Sequence, residues 1–258
     1  MKDHLPIDWH KVKALSFDVF GTLIDCDEGQ YQVLASSCLG PFLEGQTRTD
    51  ILKPFKAHER ILQKQHPGMR QSLILAQAVR NWSADHGLTG HELNESQTDE
   101  VASAVGYSMG EWLPFPDTID AMNRLGRHFK LIALSNVDRE TFTRLCDGPL
   151  KDMHWDKTYL AEDIGSYKPD LKNFTYLFDH CEKDLGISKD DAVHVANSLD
   201  HDHGPAKATG YTSVWIDRQD RLGQETATPG EHAEKWGYVL RYGTLGELAD
   251  PVDAAFDD

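Results

Sequence analysis

In the stretch LSFDVFGTLID, residues 15–25, an aspartate ends an apolar run and the turn-forming Gly21 follows it. A carboxylate in that position, Asp18, suits nucleophilic attack, general-base work or metal ligation. Further polar groups stand at intervals along the chain: Ser135 and Asn136 after FKLIALS, Lys168 within GSYKPD, and Asn197, Ser198 and Asp202 within ANSLDHD. One at a time, such residues are ordinary helix caps, turn residues and solvated loop charges. As an ordered set they point to one pocket at the carboxyl ends of neighbouring strands, where open parallel sheets bind ligands.

The elements needed to bring them together are visible as short apolar runs, ALSFDVF, FKLIALS, DAVHVA and TSVWID, three of them separated by longer segments with helical spacing. The runs lack strict polar alternation, as expected of strands covered on both faces. The pattern predicts an α/β fold: a Rossmann-like, doubly wound parallel sheet core with an inserted helical cap. The core is expected over residues 1–27 and 113–258 and the cap over 28–112, where YQVLASSCLGPFL, ILKPFKAHERILQKQ, SLILAQAVRNWSADHG and DEVASAVGYSMGEW read as helices. Pro114 and Pro116 then break the helical pattern. The acidic end, DPVDAAFDD, is expected to fray.

At 258 residues the chain is long enough for a full core. A net charge of −16 gives an overall field that repels nucleic acid and anionic membranes, so neither is expected as a partner. The opening MKDHLPIDWHKVKALSF lacks a secretory pattern, and no segment approaches a membrane span, which predicts a cytoplasmic protein. Cys26, Cys38, Cys146 and Cys181 are scattered with no CxxC pair and read as reduced thiols in or near cores. His201 and His203 form a weak zinc signal and are expected to pack or to hydrogen-bond Asp202. Of Trp9, Phe20, Phe55, Trp82 and Trp112, most are expected in the core. Neither a G-x-G-x-x-G turn nor a G-x-x-x-x-G-K-[ST] loop is present.

FDVFGTL, LSN, YKPD and VANSLDHDHGPAKATG resemble, in order, the four motifs of the haloacid dehalogenase superfamily, and within it the 2-haloacid dehalogenase-like branch. The resemblance implies catalytic roles for Asp18 as nucleophile, Lys168 as its cationic partner and Asp202 at the attacking water. It implies substrate contacts from Phe20, Thr22, Ser135, Asn136, Asn197 and Ser198, and a homodimer. Phosphatases of the superfamily carry a second aspartate two residues after the nucleophile as proton donor, where this chain has Phe20. General acid catalysis contributes roughly 100- to 10,000-fold, and a departing halide needs none. Where phosphatases commonly have Gly-Asp-Ser in the last motif, this chain has Ala196, Asn197 and Ser198, which weakens the case for magnesium.

The expectation is therefore a metal- and cofactor-independent hydrolase attacking C2 of a small anionic carboxylic acid through an aspartyl ester, with a 2-haloacid dehalogenase as the leading form. The alternatives are ring opening of azetidine-2-carboxylate, a magnesium-dependent phosphatase using Asp25 or Asp202 as acid, or a non-catalytic scaffold. The chain departs from the branch where its tyrosine falls on Phe174 and its loop serine and asparagine fall on Asn197 and Leu199. Lys53, Lys56 and Arg60 occupy the window of its cap arginine.

Overall fold

The computed structural model describes residues 7–88, 93–219 and 228–257. Six strands, β1 (Ala14–Phe17), β2 (Lys130–Ser135), β3 (Lys157–Leu160), β4 (Ala192–Ala196), β5 (Ser213–Ile216) and β6 (Leu240–Tyr242), form one parallel sheet in the order β3-β2-β1-β4-β5-β6. The strand order reverses around β1, which puts its carboxyl end at the switch point where such sheets bind ligands. The central strands β1 and β4 are buried along their whole length, in keeping with their unbroken apolar runs. The two edge strands, β3 with sequence KTYL and β6 with LRY, carry no comparable run and were not anticipated.

Over residues 26–108, between β1 and β2, the described residues form five α-helices, α1 (Cys26–Ser36), α2 (Gly40–Leu43), α3 (Arg48–Gln65), α4 (Gln71–Asp85) and α5 (Glu95–Ser108), and add no strand to the sheet. Asp25 caps α1, its side chain accepting from the Glu28 amide. Reciprocal capping boxes, Thr47 with Asp50 and Asn94 with Gln97, start α3 and α5. α5 lies close against α4 at Gly106, where a Cβ would fall 2.3 Å from the Ser72 carbonyl oxygen. The residues expected to form one helix over 31–43 divide instead between α1 and α2.

Among the described residues the remaining α-helices are α6 (Thr118–Leu125), α7 (Arg139–Asp147), α8 (Ala161–Ile164), α9 (Leu171–Leu185), α10 (Gly204–Thr209), α11 (Pro229–Trp236) and α12 (Leu245–Phe256). Over residues 250–256 the acidic end does not fray: it is the last part of α12. Arg124 of α6 holds Asp250 and Asp253 at 2.7 Å each, and the His128 ring stacks on Phe256. One cluster of buried apolar side chains runs from Leu15 and Phe17 of β1 through Phe55 of α3 to Trp82 of α4. Trp9 belongs to it, so Trp9, Phe55 and Trp82 are core residues. Cys181 is buried and Cys26 and Cys146 are half-buried, but Cys38 is exposed, contrary to the expectation for all four thiols. No described helix is long and apolar enough to cross a membrane.

Candidate active site

Asp18 follows β1 directly, and its amide continues the sheet pattern by donating to the Val195 carbonyl of β4 at 3.1 Å. The chain then turns sharply through Gly21, at φ +89°, a conformation that L side chains rarely adopt. The turn brings Thr22 back beneath Asp18, where its hydroxyl donates to Asp18 Oδ2 at 2.7 Å and accepts from the Asn197 amide at 2.9 Å. Arg218 fixes the turn from outside, with Nε and Nη2 donating to the Thr22 carbonyl at 3.1 and 2.9 Å. Its Nη1 reaches Asp117 Oδ1 at 2.6 Å, and Asp117 Oδ2 accepts from the Leu245 amide at the start of α12 at 2.7 Å.

Lys168, 1 % exposed, spends all three ammonium protons inside the protein. Nζ donates to Asp18 Oδ1 at 2.8 Å, to Asp202 Oδ1 at 2.6 Å and to the Leu134 carbonyl at 2.9 Å. Asn136 sets its backbone, with Oδ1 accepting from the Lys168 amide at 2.7 Å and Nδ2 donating to its carbonyl at 3.0 Å. Asp202 lies on a wide π-helical turn, Leu199–His203, capped by Ser198, whose hydroxyl accepts from the His201 amide. Behind Asp202 runs a buried chain of polar groups. His194 Nε2 donates to Asp202 Oδ1 at 3.0 Å, Nδ1 accepts from Ser16 at 2.9 Å, and the Ser16 hydroxyl lies 3.0 Å from that of Tyr211.

One ammonium between two carboxylates sets the electrostatics. Burial raises the Asp18 pKa above the ordinary carboxylate value; Lys168 opposes the rise and the charge of Asp202 adds to it. Burial also opposes ionisation of Asp202, but Lys168 and His194 outweigh it and hold that carboxyl well below the usual range. Lys168 is held charged, because the two carboxylates outweigh its own burial. Asp202 Oδ2 and Ser135 Oγ are buried and have no hydrogen-bond partner.

A cavity of about 240 Å³ opens above these groups. Eight of the nine residues expected to build the site line it: Asp18, Phe20, Ser135, Asn136, Lys168, Asn197, Ser198 and Asp202. Thr22 is not on its surface but buried beneath Asp18. Phe20 meets Trp112 edge to face, with centroids 5.9 Å apart, and both rings line the cavity. Cys26 lines it too, and burial pushes its thiol up, so it is no thiolate nucleophile. The opposite wall comes from α3, whose Lys56, Glu59, Arg60 and Gln63 share one face by helical spacing. Lys56 binds Asp27, and Glu59 Oε1 accepts from Gln71 Nε2 at 2.6 Å. Lys53 lies in a neighbouring groove.

Of the two outcomes expected for His201 and His203, packing holds for His203, and the hydrogen bond to Asp202 comes from another histidine. The ring bonded to Asp202 is His194, while His203 is buried with Nε2 on the Ala196 carbonyl and Nδ1 on Ser213. His201 turns its ring to the cavity, and burial lowers its pKa, which favours the neutral imidazole. Asp25 is occupied as the cap of α1 and does not line the cavity, so it does not supply the acid that a phosphatase mechanism would need. Phe174, at the position of the branch's tyrosine, is fully buried and packs against His194 and Tyr211.

Residues 12–210 match the sequence model of the haloacid dehalogenase-like hydrolases. The chain belongs to that family. Within the haloacid dehalogenase-like fold, it is similar to an L-2-haloacid dehalogenase from Xanthobacter autotrophicus with chloropropionic acid covalently bound, at 17 % identity and TM-score 0.69 over 94 % of this chain and 98 % of that one. A defluorinating L-2-haloacid dehalogenase superposes with TM-score 0.71 at 17 % identity, over 94 % and 95 % of the two chains. HAD-hydrolase YfnB from Bacillus subtilis, bound to magnesium, superposes with TM-score 0.67 at 18 % identity, over 94 % and 99 %. The fold therefore accompanies both metal-bound and covalently substituted relatives, and this chain's own donors must discriminate between them.

The donors present fit magnesium poorly. Magnesium favours an octahedron of oxygens with one or two free carboxylates. Here each Asp18 oxygen already has a donor, and Lys168 stands between Asp18 and Asp202 with its positive charge. Asn197 brings a neutral amide whose Nδ2 is spent on the Ile216 carbonyl. Among the described residues, no three His, Cys, Asp or Glu side chains group as a metal site.

Proposed function

We propose that this haloacid dehalogenase-like hydrolase displaces a leaving group from C2 of a small 2-substituted carboxylic acid, with a 2-haloacid as the leading substrate. The reading rests on one observation: Asp18 lies at the cavity floor held by Lys168 and Thr22, while the residue two places on is a phenyl ring packed on Trp112. In the first step an Asp18 oxygen attacks C2, the C–X bond breaks and X⁻ departs with the bonding pair. In the second, water attacks the aspartyl carbonyl carbon and the acyl C–O bond breaks; of the two water protons one ends on the departing alkoxide, which leaves as the 2-hydroxy acid, and the other passes to base and then to solvent. This is covalent catalysis by a carboxylate.

Lys168 keeps Asp18 ionised for the first step and faces the negative charge that develops at its carbonyl in the second. The unpartnered Asp202 Oδ2 is an acceptor for the attacking water, with the His194–Ser16–Tyr211 chain fixing its carboxylate plane. Among the described residues Arg60 is the cavity-lining cation with no ion pair, and it is assigned, with the unpartnered Ser135 hydroxyl, to the substrate carboxylate. The helices α1–α5 act as the cap that closes the cavity over the sheet.

A single turnover of 2-chloropropionate in H₂¹⁸O with excess protein tests the scheme. The label is expected in Asp18, read by mass spectrometry of its peptide, and absent from the first lactate released. Label in lactate and none in Asp18 would mean direct attack by water.

A further inference from the structure

The α3 side of the cavity carries groups that a plain haloalkanoate does not use. Five carboxylates and three cationic side chains line the cavity. Lys168 lies between Asp18 and Asp202, and Lys56 binds Asp27, which leaves Arg60, Glu59 and the exposed Asp200. With Arg60 taken by the substrate carboxylate, the remaining charge is negative. Glu59 is half-buried and tied in place by Gln71, which Gln63 Nε2 in turn meets at 2.8 Å. Lining the same cavity from α1, Gln30 is 3 % exposed and has an Oε1 with no hydrogen-bond partner.

A buried acceptor without a donor is unfavourable unless a ligand supplies the donor. An alkyl group against Gln30 would leave it unmet, and a second anionic group would face Glu59. Resting on the reading that Asp18 attacks C2, we propose that Gln30 and Glu59 form a subsite for a protonated amine on the substrate, so that the preferred substrate is a zwitterion and not a plain 2-haloalkanoate. The ammonium donates to Gln30 Oε1 and balances Glu59. Burial raises the Glu59 pKa, and a cation beside it reverses that effect. Sites built to hydrogen-bond a polar substrate group discriminate strongly against analogues that lack it.

Titration calorimetry on the intact protein with unreactive acids isolates the subsite from the chemistry. 3-Aminopropanoate or 4-aminobutanoate is expected to bind at least ~10-fold more tightly than propanoate or butanoate, a ratio worth ~1.4 kcal/mol. The advantage should collapse in both Glu59→Gln and Gln30→Leu. Equal or tighter binding of the alkyl acids to the unsubstituted protein, which requires no variant to fold, would overturn the proposal, as would an advantage that survives both substitutions. Halide release from 2-chlorobutanoate and from 3-amino-2-chloropropanoate, corrected for release without protein, separates the two readings. Amine-selective binding with no halide from either acid keeps the subsite and sinks the 2-haloacid as substrate. Halide from 2-chlorobutanoate without amine-selective binding does the reverse.

Discussion

On the sheet side, the charges at the cavity floor are buried and matched, with Lys168 between Asp18 and Asp202 and a chain of three further polar residues behind them, and only Asp200, on the turn after β4, is exposed among the described carboxylates there. On the α3 side Arg60 is exposed, and Glu59 is half-buried and met by the carboxamides of Gln63 and Gln71. The difference follows from backbone. Strands in a parallel sheet hold side chains in fixed register, Ser16 beside His194, so a precise relay can be built there. A helix facing a cavity presents long flexible side chains, which suit recognition. The sheet side should therefore govern turnover and stability, and the helix side affinity and selectivity.

The largest effect should come from Asp18→Asn, a loss of at least ~10³-fold in kcat with the fold retained, because the group lost is the nucleophile itself. Halide or ring-opened product at an unchanged rate would remove Asp18 from the mechanism. Lys168→Met leaves two buried carboxylates with no ammonium, so denaturant melts should show a loss of about 3–5 kcal/mol. A melt unchanged by this substitution would abolish the contrast between the two sides. Arg60→Gln should act differently, raising KM roughly 10-fold or more while kcat and the melting midpoint stay close to those of the parent protein. A matching fall in kcat would show that the helix wall takes part in turnover.

The pH profile gives a finer comparison. Asp18 must be ionised to attack, and burial raises its pKa, so kcat/KM should fall with decreasing pH at a point above the ordinary carboxylate range. Asp202→Asn removes a negative neighbour and leaves Lys168 wholly to Asp18, and both changes favour ionised Asp18. The acid limb of the normalised profile should then move to lower pH. An upward move would mean that the coupling between the two carboxylates has the opposite sign.

The legible parts of the sequence are those where local pattern and position coincide. Asp18, Ser135 and Asn197 each follow an apolar run, and central strands are apolar on both faces, so the sheet's middle and the cavity floor could be read directly. Ser16 and His194 interrupt those same runs, LSF and VHV, and as isolated polar residues in buried strands they mark a hydrogen-bonded pair that the apolar pattern alone does not reveal. Glu59, Gln30 and Gln71 had no such mark. They come together only when three helices pack, and a glutamine on a helix reads like any solvated position until its partner is known. Edge strands β3 and β6 were missed because KTYL and LRY are too short for a pattern to emerge.

Asp117 joins two parts of the chain that are far apart in sequence, taking the guanidinium of Arg218 on one oxygen and the amides of Leu245 and Gly246 on the other. Arg218 in turn grips the carbonyl of Thr22, directly under the nucleophile. The final helix is thus a keystone for the first turn, and shortening the protein is not a neutral way to make it easier to handle. A chain ending before Leu245 would leave Asp117 half unsatisfied and the Arg218 clasp slack. Its turnover should fall by more than its substrate affinity, as steady-state kinetics on the shortened protein would show.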